Sequence, residues 1–165
     1  MEDWTDHHVR RWRNHWIDVS FDDEVEGVAV RIGRLARHLH RIKQEALVET
    51  GLQDFEYDTL HTLMIRETPG RASPTDLARD LGVSGAGMTG RLDGLENRGW
   101  IQRLPSTEDR RRVDIEITKS GAEIWRHAMG VRGTGEKAMI GVLSRKEQAS
   151  LNRLLKKLTL AIRDE

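Results

Sequence analysis

The sequence contains no cysteine. Disulfides, zinc–thiolate centres and sensing by thiol oxidation are therefore excluded. No apolar run approaches the roughly 18 residues that mark a membrane-spanning helix, so no span is expected. The opening stretch, MEDWTDHH, is acidic and lacks an apolar h-region. That argues against a secretory signal and for a cytoplasmic location. Net charge is missing too, because 27 acids balance 27 lysines and arginines. The balance does not exclude a nucleic-acid partner, since local distribution decides. Neither an internal repeat nor a low-complexity segment is present. No nucleophile–base pairing or metal constellation stands out, and His7-His8 has no third ligand at helical spacing. An enzyme, a bound metal and a cofactor are not expected.

What is present is helical patterning in a chain of 165 residues, long enough to bury a real core. Residues 1–20 carry Trp4, Trp12 and Trp16 among histidines and arginines, and read as a short amphipathic helix laying its aromatics on the main body. From Val25 the apolar positions are Val25, Val28, Ile32, Leu35, Leu39 and Ile42. Steps of three and four alternate strictly, which makes a narrow seam along one long helix. It ends near Thr50-Gly51, where glycine suits a left-handed C-cap. A second helix is expected from Asp54 to about Arg66, before Thr68-Pro69-Gly70 breaks the chain.

Ser73-Pro74-Thr75-Asp76 is a helix start, with serine as N-cap, proline at the first helical position and an acid in the first turn. Gly82 turns the chain, and Ser84 caps a further helix that carries Met88, Leu92 and Leu95 inward and stops at Asn97-Arg98-Gly99. Two capped helices joined by a tight turn make a helix-turn-helix. Residues 100–104 then read as a strand, 105–110 as a polar turn, and 111–118 as a second strand alternating at period two. This hairpin is a wing attached to the second helix of the motif. Beyond it, Ala122 to about Val131 is helical, with Gly133 and Gly135 permitting a bend. Ser144-Arg145-Lys146-Glu147 is a capping box opening a last helix with Leu151, Leu154, Leu155, Leu158 and Ile162 on one stripe. Apolar stripes at both chain ends exceed what a small winged domain can cover, and suggest a dimer. The expected fold is mainly α with a small β-hairpin wing.

The helix after Ser84 reads SGAGMTGRLDG over residues 84–94, with four glycines. Each interior glycine costs up to about 1 kcal/mol relative to alanine. Small residues would let a helix N-terminus and its free N–H groups come close to phosphates and bases in a major groove about 12 Å wide. The alternative is that the glycines allow close helix–helix packing. Across residues 73–118 seven arginines face eight acids with no lysine, so this is not a basic region. The positive charge gathers on the hairpin, at Arg103, Arg110, Arg111 and Arg112.

Taken in order, Ser73-Pro74-Thr75-Asp76-Leu77-Ala78, Val83-Ser84, Met88-Thr89-Gly90-Arg91-Leu92, Leu95-Glu96-Asn97-Arg98-Gly99, Asp109-Arg110-Arg111 and Ile117-Thr118-Lys119-Ser120-Gly121 resemble the MarR family. The resemblance runs from about Gly51 to Gly121. It implies a homodimeric transcription regulator, expected as a repressor, on a palindromic double-stranded operator. It also implies three regions: residues 1–50 as N-terminal helices for dimerisation and ligand, 51–121 as the winged helix-turn-helix, and 122–165 as C-terminal dimerisation helices. The expected DNA contacts are Ser73, Thr75, Ser84, Gly85, Ala86, Gly87, Met88, Thr89, Arg91, Arg110, Arg111 and Arg112. Within that set the resemblance makes Arg111 the wing arginine that enters a minor groove, oriented by Asp109. The chain is also similar to the urate-responsive branch of that family, through Trp16 (or Trp12), Asp58, Arg91 and Arg103. An aromatic face could stack a purine or aromatic acid while guanidinium groups hold its anionic edge.

Overall fold

The computed structural model of the chain describes residues 1–13, 22–106 and 113–162. The chain divides into two compact units, Met1–Lys43 and Gln44–Glu165. The first holds helix α1 (Trp4–Arg13) and most of α2 (Asp23–Thr50). The second holds the end of α2, then α3 (Asp54–Met64), β1 (Arg71–Ala72), α4 (Pro74–Asp80), α5 (Gly85–Asn97), β2 (Ile101–Pro105), β3 (Val113–Ile117), α6 (Lys119–Ile140) and α7 (Arg145–Ala161). Among the described residues no helix is long and apolar enough to cross a membrane.

In the first unit α1 is tied to α2 chiefly by polar contacts. Arg31 donates to both carboxylate oxygens of Asp3 at 3.1 Å and to Asp6 at 2.6 Å. Arg13 pairs with Asp23, and His8 lies 3.3 Å from Glu26. The aromatics of α1 stack along the helix itself rather than forming a buried apolar face. Trp4 packs on His8 at 5.0 Å and under the guanidinium of Arg34, and Trp12 donates its indole N–H to His8 at 2.9 Å. Trp4 stays half exposed. Of the α2 seam, Val25, Val28, Ile32, Leu35 and Leu39 are exposed while Ile42 is buried. α1 thus engages a charged flank of α2 and leaves the seam open.

The second unit is built on a core that α3, α4, α5, the sheet and α6 share. Leu60, Leu63, Leu77, Met88, Leu92, Leu95, Ile101, Ile115 and Ala128 are all buried in one cluster. Gly82 joins α4 to α5 at φ 62°, in the left-handed region that glycine enters without steric cost. The sheet has three strands in the order β1-β3-β2, all antiparallel, with Ile101 opposite Ile117 and Arg103 opposite Ile115. Strand β1 gives no signal in the sequence, because two residues cannot display a period. It exists through its pairing with β3, Arg71 opposite Glu116 and Ala72 opposite Ile115. Thr118 caps α6, its side chain accepting from the Gly121 backbone and donating to the Gly99 carbonyl at 2.7 Å. A Cβ on Gly121 would sit 2.0 Å from the Trp100 carbonyl oxygen, so only glycine lets α6 start against the α5–β2 junction.

Two expectations about helices need correcting. α3 stops at Met64 rather than near Arg66. α6 does not bend or end at Gly133 and Gly135 but runs through both for 22 residues. Two glycines cost about 2 kcal/mol in propensity. That is less than the continuous backbone hydrogen bonding and an Arg132–Glu136 pair one turn apart (2.6 Å) can sustain. The capping box at Ser144 and Glu147 opens α7 as its sequence predicts. α7 has no buried residue, and Leu154, Leu155, Leu158 and Ile162 lie exposed.

The docking of α1 is therefore expected to be acid-labile. The Arg31 hydrogen bond holds the Asp3 carboxyl below the usual carboxylate range, and the Asp3 backbone N–H followed by Arg31 does the same for Asp6. Stability from depressed carboxyls is in place above about pH 4 and disappears as pH falls through their lowered values. Hydrogen exchange at residues 4–13 should accelerate in acid, and at neutral pH in Arg31→Ala, while exchange in α5 is unchanged at neutral pH. Equal protection of α1 in wild type and Arg31→Ala would show that the ion pairs do not hold it.

Candidate nucleic-acid interface

Helices α4 and α5 with the β2–β3 hairpin form the winged motif. Ser73 caps α4: its hydroxyl accepts from the Asp76 backbone at 3.1 Å and donates to the Asp76 carboxylate at 2.8 Å. That hydroxyl bond, with help from Arg79 and Arg66, holds the Asp76 carboxyl below its usual range. Thr75 is exposed on the first turn. Ser84 caps α5, its hydroxyl accepting from Gly87 at 3.1 Å. Ser84, Gly85, Ala86, Gly87, Thr89 and Gly90 are all exposed. This exposed first turn, with its small side chains, suits an approaching phosphate or base edge. Thr89 bonds back to the Gly85 carbonyl at 3.0 Å.

Met88 is a correction. It is expected both to pack inward and to meet DNA, but it is fully buried in the core cluster and cannot be a contact. A thioether on the inner stripe with Leu92 and Leu95 is the anchor of the helix instead. Arg91 is half-buried on the flank toward α3, with its guanidinium 5.8 Å from the Phe55 ring. Arg110, Arg111 and Arg112, along with Asp109 and Trp16, lie outside the described residues.

The glycines of α5 can now be weighed. A Cβ at Gly85, Gly90 or Gly94 would meet no atom within 4 Å, and at Gly87 it would meet only the capping hydroxyl of Ser84, at 3.2 Å. Close packing within the chain does not require them. Their effect is to leave the outer face of α5 bare.

Two ion-pair systems flank the helix. Arg103 on β2 donates to Asp93 at 2.6 Å and pairs with Glu96, both on α5. The Asp93 hydrogen bond comes first among the causes that raise its pKa above the ordinary guanidinium value. Any effector anion at Arg103 has to displace those acids. The second system was not anticipated from the sequence. Arg98, at the C-cap of α5, holds the buried Glu56 of α3 through contacts of 2.8 and 2.9 Å and lies 4.0 Å over the Trp100 ring. Its one hint is positional: Glu56 sits three residues after Gln53, where it accepts from the Gln53 backbone as a helix cap. Asp58 lies on α3, half-buried. A polar cleft of about 940 Å³ opens between the end of α3, β1, α4 and the turn end of the β2–β3 pair, lined in part by Arg66, Arg71, Ser73, Asp80 and Asp114. It contains none of Asp58, Arg91 or Arg103.

The family model described as "MarR family" matches residues 56–113, from α3 to the start of β3. The chain is 29% identical over 147 residues to the HTH-type transcriptional regulator PecS of Dickeya dadantii (strain 3937), covering 89% of this chain and 87% of that protein. It is 28% identical over 133 residues to the transcriptional repressor MprA of Escherichia coli (strain K12), covering 78% and 75%. Among solved structures, a mutant MarR from E. coli complexed with operator DNA matches with a TM-score of 0.62 at 25% identity, over 85% of this chain and all but 1% of that one (99% covered). The YusO protein of Bacillus subtilis shares the fold at a TM-score of 0.72 and 19% identity, covering 87% of this chain and 100% of that one.

The open space above Gly90 and Gly94 generates opposed expectations for folding and binding. Gly90→Ala and Gly94→Ala should each stabilise the protein by up to about 1 kcal/mol in denaturant titrations, because propensity improves with no clash. The same alanines should weaken binding to a duplex. Destabilisation, or unchanged binding by both variants, would contradict this account of the exposed face.

Proposed function

We propose that this chain is a DNA-binding transcriptional regulator of the MarR family, whose model matches residues 56–113, that it acts as a homodimeric repressor on a palindromic operator, and that it is released by a small anionic or aromatic ligand. It is a regulator and not an enzyme. The observation that carries the DNA-binding assignment is the bare, exposed first turn of α5 set beside a winged hairpin. In this reading Ser84, Gly85, Ala86, Gly87 and Thr89 meet the major groove, Ser73 and Thr75 meet phosphates, and Arg110, Arg111 and Arg112 serve the wing, with Arg111 in the minor groove. Selection of bound duplexes from random DNA tests it directly, since a palindromic consensus is expected.

The dimer rests on the apolar stripes left open at Val25, Val28, Ile32, Leu35 and Leu39 of α2 and at Leu154, Leu155 and Leu158 of α7. Burying each such side chain is worth about 1.5–3 kcal/mol, so a second copy of the chain is the favoured cover. Replacing Leu154 and Leu158 with Glu should yield a monomer with no tight operator binding. Sedimentation of the wild type as a monomer at micromolar concentration would overturn the assembly.

The effector reading rests on Asp58 of α3 and on Arg91 and Arg103, which flank the DNA-reading helix from α5 and β2. A ligand shifts a conformational equilibrium only through differential affinity for its two states. An anion taking these guanidinium groups would have that property if α5 moves. With a typical coupling of about 1–3 kcal/mol, operator affinity should fall roughly 5- to 150-fold at saturation. Urate and xanthine come first, then aromatic carboxylates, each titrated against wild type and Asp58→Asn. Operator binding unmoved by any of them at millimolar concentration would remove the ligand from the proposal and leave the DNA-binding regulator.

A further inference from the structure

We infer that Arg103 is a positioning residue for DNA binding: by bridging Asp93 and Glu96 it locks the first wing strand to the recognition helix, so that wing and helix meet one duplex in a fixed relation. The inference rests on the DNA-binding activity of the fold and not on the effector reading.

Asp93 and Glu96 stand three residues apart on α5, hence on one side of the helix. Arg103 lies in the middle of β2, opposite Ile115 of β3, and spends one guanidinium nitrogen on each acid. A planar fork can serve two carboxylates at once; the compact ammonium of a lysine is a poorer bridge. The link crosses from the helix to β2, and the partner strand β3 is itself pinned, with Arg71 of β1 pairing Asp114 of β3 at 3.0 Å. The hairpin is therefore tied to α5 through β2 and to β1 through β3.

Charge makes the same residue necessary in a second way. Helix α5 carries Arg91 against Asp93 and Glu96. A helix that approaches a polyanion thus carries one net negative charge unless something neutralises it, and Arg103 does so from the wing. Two DNA-contacting elements held rigidly together behave as a linked pair, in which the second contact is intramolecular. Loosening the link forfeits part of that gain even though no DNA-contacting side chain is touched.

The test uses the full-length protein and the duplex recovered by selection, at fixed salt. Asp93→Asn combined with Glu96→Gln removes two negative charges beside DNA, so simple electrostatics calls for tighter binding. The lock calls for the opposite: weaker binding by about 5- to 150-fold, the range lost with a contact such as the wing arginine's. Arg103→Ala should weaken binding similarly, and add little when introduced into the double variant. Arg103→Lys should recover only part of the loss. Hydroxyl-radical footprints should lose protection from the wing while keeping that from α5. If Arg103→Ala fails to fold, Arg103→Lys and the single change Glu96→Gln carry the same comparison of affinity and footprint. Tighter or unchanged binding by the acid variants overturns the inference. So does a loss on removing Arg103 that persists undiminished without the acids, which would make Arg103 a direct phosphate contact.

Discussion

The α5 helix exists because Met88, Leu92 and Leu95 are buried. With glycine at four of its thirteen positions, local propensity opposes it. The two interior glycines alone cost about 2 kcal/mol relative to alanine. Three buried apolar side chains offset that several times over, at about 1.5–3 kcal/mol each. Packing can thus support a helix whose outer face carries almost nothing. That division of labour, an apolar stripe holding and a bare face approaching, is what the motif around it serves. Ser84 closes the first turn, Gly82 aims the helix away from α4, and Gly121 lets α6 begin where α5 hands over to β2.

Charge in this region is arranged in pairs more than displayed as a patch. Arg103 is committed to Asp93 and Glu96, Arg98 to Glu56, Arg66 to Asp80 and Arg71 to Asp114. Such partly exposed pairs add modest stability one at a time. Their larger consequence is geometric, since they connect different parts of the fold: the end of α5 to α3, α5 to β2, the turn after α3 to α4, and β1 to β3. Among the described residues, few arginines of this region are then left for a polyanion. The inner charges set the frame that carries the hairpin.

The chain ends follow a different logic. α7 is stabilised as a helix by its capping box, yet none of its residues is buried, and the α2 seam is open along most of its length in the first unit. Caps and i,i+4 contacts make helices, but covering an apolar stripe takes apolar contact. α1 does not supply that contact, because it binds α2 through arginines and acids. These open stripes are the surfaces on which the proposed dimer rests, where the same hydrophobic term would act between chains.

The sequence by itself determined the helix-turn-helix, its caps, the wing strands and both open stripes, since each is written in spacing over neighbouring residues: Ser73-Pro74, Ser84, Met88-Leu92-Leu95, Val113-Ile115-Ile117. Tertiary structure decided the rest. Strand β1 is too short to carry a pattern and is defined by its partner. α6 runs through Gly133 and Gly135 against its propensity, and Met88, whose spacing already points inward, leaves the DNA-contact set because it is fully buried. The choice between two explanations of the α5 glycines also waited for coordinates, which place open space above Gly85, Gly90 and Gly94. Long-range pairs such as Arg98 with Glu56 and Arg103 with Asp93 were illegible for one reason. A charged residue pairs with whatever the fold brings within reach, and that distance is a property of three dimensions.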